Sequence, residues 1–419
     1  MKKKIFIGFS EVANYYTNLT KGFKEIGYEY FLITFGKNKR LYNIEDDKFF
    51  DQKITHFLTN KINKSIYCKV FFYPFFIFLR LYLFFKYTYK CDIFIFSYNS
   101  SFLWLYDLPI LKFFNKKIIF VYHGSDSRPP YLSGNYINNG FSLNFVKKFS
   151  HWVYKKNKTV ENYSDHIISL PSSGQFFSRK LINFLWIGLP FELKDYKLKQ
   201  QLKKNKKVKI IHAPSTRKAK GTEEFRKIIT DLKIEGYNIL FKELYDVKNQ
   251  EVLRHLQTSD ILLDELYSDT VMAGFATEGA YFSVPSVVGG YYKNIKKDMK
   301  DMDIPPSIYV KPTQIKKALE ELIISKNKRE ALGKKAMKYV KSKWSPKLVA
   351  ERFSMLIENK KLPKTAYFHQ NDIYYFNGWG VSKKDLKDFL KLYINKFGRE
   401  SLFLSHNRKL EKKILMFVQ

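Results

Sequence analysis

The sequence predicts an α/β protein of two doubly wound parallel-sheet domains followed by a C-terminal extension. Three observations predict it. Short apolar runs of strand length alternate with segments of helical apolar spacing. The strands read as continuous apolar runs, as strands covered by helices on both faces do. One Lys-rich polar stretch without apolar periodicity, residues 192–207, interrupts the alternation, and the pattern then restarts.

Residues 4–9 form the first strand. Tyr15, Leu19, Phe23 and Ile26 recur at helical spacing, and Gly27 follows as a stop. Residues 29–35, 92–97, 117–122 and 166–170 read as further strands, the last three each ending in a polar loop. After the linker come strands at 208–212, 238–242, 261–264 and 286–289, with helices at 222–234, 249–256 and 276–282 between them. Ile315, Ala318, Leu319, Leu322 and Ile323 form one helical face, with Thr313 placed as its cap. The expected domains are 1–191, 192–360 and the extension 361–419. The extension lacks the alternation, holds helical stretches at 385–393 and 408–417, and shows no role in its sequence.

The 419 residues suit two or three domains at ~100–200 residues each. With 45% hydrophobic and 27% charged residues, a disordered or collagen-like chain is excluded. The charge of +35 (74 Lys+Arg against 39 Asp+Glu) calls for nucleic acid, an anionic membrane face or phosphorylated substrates, or reflects a composition rich in Lys, Asn, Ile, Phe and Tyr. Cys68 and Cys91 build no disulfide framework and fit a reducing, cytoplasmic compartment. The apolar run after Met1-Lys2-Lys3-Lys4 is ended early by Ser10-Glu11, so it reads as a strand rather than a signal peptide. The most apolar stretch, 70–85, falls short of the ~20 residues that span a bilayer. Pro74 and Arg80 interrupt it, and no transmembrane helix is expected.

Ligands of doubly wound sheets bind at the carboxyl ends of the strands, so the loops there carry the functional reading. The richest is His212-Ala213-Pro214-Ser215-Thr216-Arg217-Lys218-Ala219-Lys220-Gly221-Thr222. It sets cations before a helix start, and Gly221 permits close backbone approach; an arginine fork and an ammonium suit a diphosphate. The alternative is an ordinary basic loop. A second site is Gly274-Phe275-Ala276-Thr277-Glu278, read as a glycine turn with Glu278 opening a helix, where a carboxylate either accepts ribose hydroxyls or merely suits the helix dipole.

These residues resemble the C-terminal domain of GT-B glycosyltransferases of the family 4 type. The resemblance is carried by His212-Ala213-Pro214-Ser215, Arg217, Lys220-Gly221-Thr222, Asp260-Ile261-Leu262-Leu263-Asp264, and Glu278 six residues before Val284-Pro285. It extends loosely over 1–360 and implies two Rossmann-like domains facing across a cleft, with a last helix, 345–358, crossing back to the first domain. It implies that Arg217 and Lys220 hold the diphosphate of a nucleotide sugar and stabilise the leaving group, with Ser215, Gly221 and Gly274 at the nucleotide, and that Glu278 contacts the ribose. The family often has a second glutamate eight residues earlier. Thr270 stands there, beside Asp269, so the acid facing the sugar is absent, shifted, or supplied by Asp264 or Glu265. Retaining stereochemistry follows from the resemblance only. No resident cofactor and no metal are expected; the nucleotide sugar is a co-substrate.

On the first domain, His123-Gly124-Ser125-Asp126-Ser127-Arg128 follows a strand at the cleft edge. His123 either hydrogen-bonds the sugar or is structural, and Asp126 orients or deprotonates an acceptor hydroxyl. Glu11 follows the first strand in a loop without the usual glycines, and its facing the cleft is one reading. The aromatic segment 67–87 reads either as a docking surface for an anionic membrane holding a lipid-linked acceptor, or as a helix buried on all sides. The flanking Lys69, Arg80, Lys86 and Lys90 serve no core and favour the membrane.

The expected function is therefore transfer of a sugar from a nucleotide-diphosphate donor to a glycan or lipid-linked acceptor in bacterial-type surface polysaccharide or glycoconjugate synthesis. The place is the cytoplasm, peripheral to the membrane, with no nucleic acid as partner. The alternatives are transfer of a non-sugar group or epimerisation on the same fold, a basic nucleic-acid-binding protein, and a non-catalytic scaffold.

Overall fold

The computed structural model of the chain describes residues 3–35, 49–124, 126–193, 207–290, 304–368, 376 and 380–419. The expected linker lies largely outside the described residues, as does Ser125. The strands are β1 (Ile5–Phe9), β2 (Tyr30–Thr34), β3 (Ile93–Ser97), β4 (Lys117–Val121), β5 (His166–Ser169), β6 (Leu181–Asn183), β7 (Val208–His212), β8 (Ile239–Glu243), β9 (Ile261–Leu263), β10 (Ser286–Gly289), β11 (Ile308–Val310) and β12 (Tyr367–Phe368). Among the described residues they form two sheets, in the orders β12-β6-β5-β4-β3-β1-β2 and β11-β10-β9-β7-β8. All neighbours are parallel except β12 on β6. The strand order reverses between β1 and β3 in one sheet and between β7 and β9 in the other. Loops at these reversals splay apart and leave a crevice.

β1 and β3 are buried throughout, as their unbroken apolar runs require. Ile7 pairs with both Leu32 and Ile95 in the register of the central strands. Much of the aromatic content serves this core: the Phe6 ring lies 4.6 Å from Phe102, 4.8 Å from Tyr87 and 5.9 Å from Phe94. Such tilted pairs add to the stabilisation from burial alone.

The crossing helix is present as Pro346–Ile357, and Ser345 caps it by accepting from Leu348 N. It lies so close to helix Tyr15–Glu25 that a Cβ on Gly22 would overlap the Pro346 carbonyl. Tyr28 OH donates to Glu358 at 2.6 Å across the same junction. Thr313 is not a cap: it lies inside a 3-10 turn, Pro312–Gln314, that precedes helix Ile315–Ile324.

The apolar segment forms one uninterrupted helix, Ile66–Lys90, long and apolar enough by length and composition to cross a membrane. The expected breaks do not occur. Arg80 is drawn inward, donates to the Ser101 and Phe102 carbonyls, and lies 4.8 Å from the Phe35 ring and 4.1 Å from Trp104. Burial lowers its pKa to about 10. Lys86 pairs with the buried Asp51 at 2.7 Å. These two cations therefore do serve the core, contrary to expectation. Nor is the helix buried on all sides. Leu79, Leu83, Phe84 and Tyr87 pack on the domain, whereas Ile66, Tyr67, Val70, Phe71, Phe75 and Phe78 are exposed.

The extension packs on the first domain. β12 joins its sheet, and helices Lys383–Phe397 and Arg408–Val418 bury Leu386, Leu390, Tyr393, Leu410 and Ile414. Tyr131 OH donates to Leu402 O at 2.7 Å.

Candidate active site

Loops from both sheets face one cleft. On the second domain, β7 ends in His212, whose ring is clamped between Leu263 O at 2.9 Å and Thr222 Oγ1 at 3.0 Å. Burial lowers its pKa to about 4, so it is a neutral strut for the loop. Ser215 is exposed at the loop's crest. A one-turn helix, Arg217–Lys220, follows, and Gly221 ends it with φ +72. A Cβ at Gly221 would overlap Leu266, so this turn needs glycine for both reasons.

Arg217 and Lys220 leave that turn toward different acids. Arg217 Nε donates to Glu243 at the end of β8, 2.8 Å away, and its guanidinium lies 4.1 Å from the Tyr245 ring. Arg226 shares Glu243, which holds that carboxylate below its usual range. Lys220 pairs with Glu265 beyond β9; burial lowers its pKa, and the charge of Asp264 offsets that only in part. β8 and β9 flank β7 on opposite sides, so the two cations do not converge on one point.

The acids offered in place of Thr270 are now separated. Glu265 is paired with Lys220, and Asp269 with Arg128 of the first domain. Asp264 is buried, and its Oδ2 has no hydrogen-bond partner among the described residues. Glu278 does not open a helix: it lies one turn inside Gly274–Tyr281, buried, and accepts from Asn249 Nδ2 at 2.9 Å. Gly274 does face the cleft. A Cβ there would have Ala13 of the first domain as its neighbour, at 3.9 Å.

Across the cleft, His123 follows β4 inside a ring of aromatics, with Tyr15 at 4.9 Å, Phe184 at 5.5 Å, Tyr16 at 5.7 Å and Tyr98 at 6.3 Å between centroids. Its Nε2 is 3.0 Å from Tyr16 OH. Burial lowers its pKa to about 3. The folded state therefore resists a proton that the unfolded chain accepts near pH ~6.5. This group's contribution to stability falls as pH drops from that value toward 3. We expect the His123 ring resonances to show no titration between about pH 5 and 8 by NMR. An apparent pKa near ~6.5 would show that the cage does not exclude water.

Asp126 turns back on its own loop. Oδ1 accepts from Gly124 N at 3.0 Å, and both oxygens lie 3.1 Å from His123 N. Burial raises its pKa to about 6. The carboxylate thus shapes the turn that presents His123. Glu11 likewise holds its own loop: it accepts from Val12 N, Tyr16 N, Thr17 N and Thr17 Oγ1 and caps helix Tyr15–Glu25.

Sequence reading missed the contacts that join the walls. Arg128 pairs with Asp269, and Ser172 Oγ donates to Asp269 O at 2.6 Å. Arg128 was visible at the end of a strand loop, but no local pattern pairs residues 141 positions apart.

No protein-family profile and no curated protein sequence matches the chain. Among solved structures, it resembles sucrose-phosphate synthase from Thermosynechococcus elongatus, with TM-score 0.52 and 12% identity over 85% of this chain and 99% of that one. It also resembles Anabaena HepE in complex with UDP, with TM-score 0.50 and 11% identity over 85% of this chain and 100% of that one. At such identities the likeness establishes the GT-B fold, two Rossmann-like domains across a cleft.

Proposed function

We propose that this GT-B-fold chain is a glycosyltransferase that moves a sugar from a nucleotide-diphosphate donor to a glycan or lipid-linked acceptor. The single observation that carries the reading is the meeting of both strand-order reversals at one cleft. Lys220, with Asp264 and Glu265, lies on one wall and the caged His123 on the other. In transfer, the bond from the sugar's anomeric carbon to the diphosphate breaks while the acceptor oxygen bonds to that carbon and passes its proton to an oxygen of the departing diphosphate. The departing diphosphate gains charge, and fixed cations stabilise it. Lys220 supplies that charge beside the end of β9 and Arg217 adds to it from the β8 side, with Ser215 and Gly221 shaping the phosphate loop. Glu278, braced by Asn249, receives the ribose. His123, neutral, hydrogen-bonds the sugar, and Asp126 holds its loop. Asp264, with its free buried oxygen, accepts a sugar hydroxyl in place of the missing acid at Thr270.

No resident cofactor or metal enters this scheme, and retention at the anomeric centre is the expected stereochemistry. A panel of nucleotide sugars incubated with glycan and lipid-linked acceptors, read by mass spectrometry with and without EDTA, tests it. Sugar transfer that persists in EDTA is expected; no transfer and no donor hydrolysis from any nucleotide sugar would overturn the reading.

The acceptor side carries the membrane part of the reading. The exposed apolar face of helix Ile66–Lys90 is continued by Phe57 and edged by the exposed Lys64 and Lys69, while Lys61 lies 5.5 Å from the Phe57 ring. Aromatic rings edged by lysines suit the headgroup zone of an anionic bilayer. The protein then works from the cytoplasmic face in surface polysaccharide or glycoconjugate synthesis. Reversing the charges at Lys64 and Lys69 is expected to weaken binding to phosphatidylserine vesicles by at least tenfold, at about 1 kcal/mol per cation. Binding equal to wild type in vesicle sedimentation would remove the membrane from the proposal.

A further inference from the structure

The C-terminal extension reaches the candidate donor loop. Gly380 N donates to Tyr267 O of the second domain at 2.9 Å, and Gly380 O accepts from Asn138 Nδ2 of the first at 2.7 Å. Asn138 O in turn accepts from Lys218 Nζ, 2.7 Å away, on the one-turn helix between Arg217 and Lys220. A Cβ on Gly380 would lie 3.0 Å from both the Cβ and the carbonyl oxygen of Ala219, and its φ of +73 is one that other residues adopt with strain.

On both sides of this contact the extension is anchored to the first domain. Before it, β12 pairs with β6, and the Phe368 ring occupies the space where a Cβ on Gly174 would stand. After it, Tyr393 lies 5.5 Å from the Tyr131 ring, Tyr131 OH donates to Leu402 O, and Asn407 Nδ2 donates to Gln175 O at 3.3 Å. A segment held by the first domain therefore sets one glycine against the turn of the second domain that carries Arg217 and Lys220.

We infer that Gly380 is a positioning residue of the donor site, and that the extension, through Gly380 and Asn138, fixes the height of the Arg217–Lys220 turn. Nucleotide affinity then depends on residues far outside the second domain. The inference rests on the reading that this turn receives the nucleotide diphosphate. A misplacement of about an ångström in a charge clamp is enough to cost it orders of magnitude in effect.

The test uses the full chain with UDP, ADP and GDP as probes in calorimetry, and amide hydrogen exchange of residues 216–221. Gly380→Val presses on Ala219. Asn138→Ala removes the amide that holds Gly380 O, while the residues of the extension and the carbonyl of position 138 that accepts from Lys218 stay as they are. Both variants are expected to weaken the best-bound nucleotide, Gly380→Val on the order of tenfold, and to speed exchange at 216–221, with the melting temperature of Asn138→Ala close to wild type. Wild-type affinity and exchange in both variants would overturn the inference; should Gly380→Val fail to fold, Asn138→Ala decides alone. Lys220→Ala, run in parallel, separates the two readings. Weakened binding there with no change in the other two variants sinks the role of the extension alone. Unchanged binding in Lys220→Ala sinks the donor-site reading, and exchange at 216–221 still decides whether Gly380 positions the turn.

Discussion

Lys220→Ala is expected to lower kcat/KM for the nucleotide-sugar donor by about 10²–10³-fold, or about 2.7–4 kcal/mol, the range for losing one preorganised group at a developing charge. Lys220 pairs with Glu265 just beyond β9, and its side chain is only 23% exposed. In that setting its charge is less screened than a surface lysine's. The substitution also leaves Glu265 unpaired and Asp264 uncompensated beside the place of the diphosphate, so repulsion adds to the lost attraction. Arg217→Ala is expected to lose less, because its side chain is 47% exposed and shares Glu243 with Arg226. Steady-state kinetics on both variants decide, and wild-type kcat/KM in Lys220→Ala would remove the diphosphate role.

The second large effect is on folding. Trp344→Ala is expected to destabilise the protein by about 3–5 kcal/mol, as truncation of a large buried aromatic does. Trp344 is fully buried, lies 5.4 Å from the Tyr339 ring, and fills the space above Gly188, where a Cβ would overlap the indole. Its carbonyl accepts from Phe191 N at 3.0 Å, which fastens the end of the first domain to the start of the crossing helix. A cavity there opens at the junction rather than in one sheet, so both domains lose packing. Urea unfolding measures it. A loss under about 1 kcal/mol would place the junction among ordinary surface sites.

How far the fold was legible follows from the elements themselves. Residues 208–212 and 222–234 were readable to the residue, because a buried strand is a continuous apolar run and an amphipathic helix repeats its apolar face. β6, β11 and β12 have three, three and two residues, too few for any period to show. The segment around Arg80 misled for a different reason. A charge in an apolar run reads as an interruption, yet two backbone carbonyls and a ring of aromatics receive it. Glu11 and Asp126 carry contacts that no local pattern shows: both carboxylates, each at a strand end, turn back to hold backbone amides.

The sequence by itself determined the two α/β halves, the order of their longer strands along the chain and the loops that end at the cleft. These rest on apolar periodicity and glycine turns, which are local. Only the tertiary structure decided which cation meets which acid. Lys220 with Glu265, Arg217 with Glu243, Arg128 with Asp269 and Gly380 against Ala219 join residues from 26 to about 160 positions apart, and their pairing is set by sheet order and side-chain direction. A charge acts over ångströms in space, and its position along the chain does not say which partner it will find.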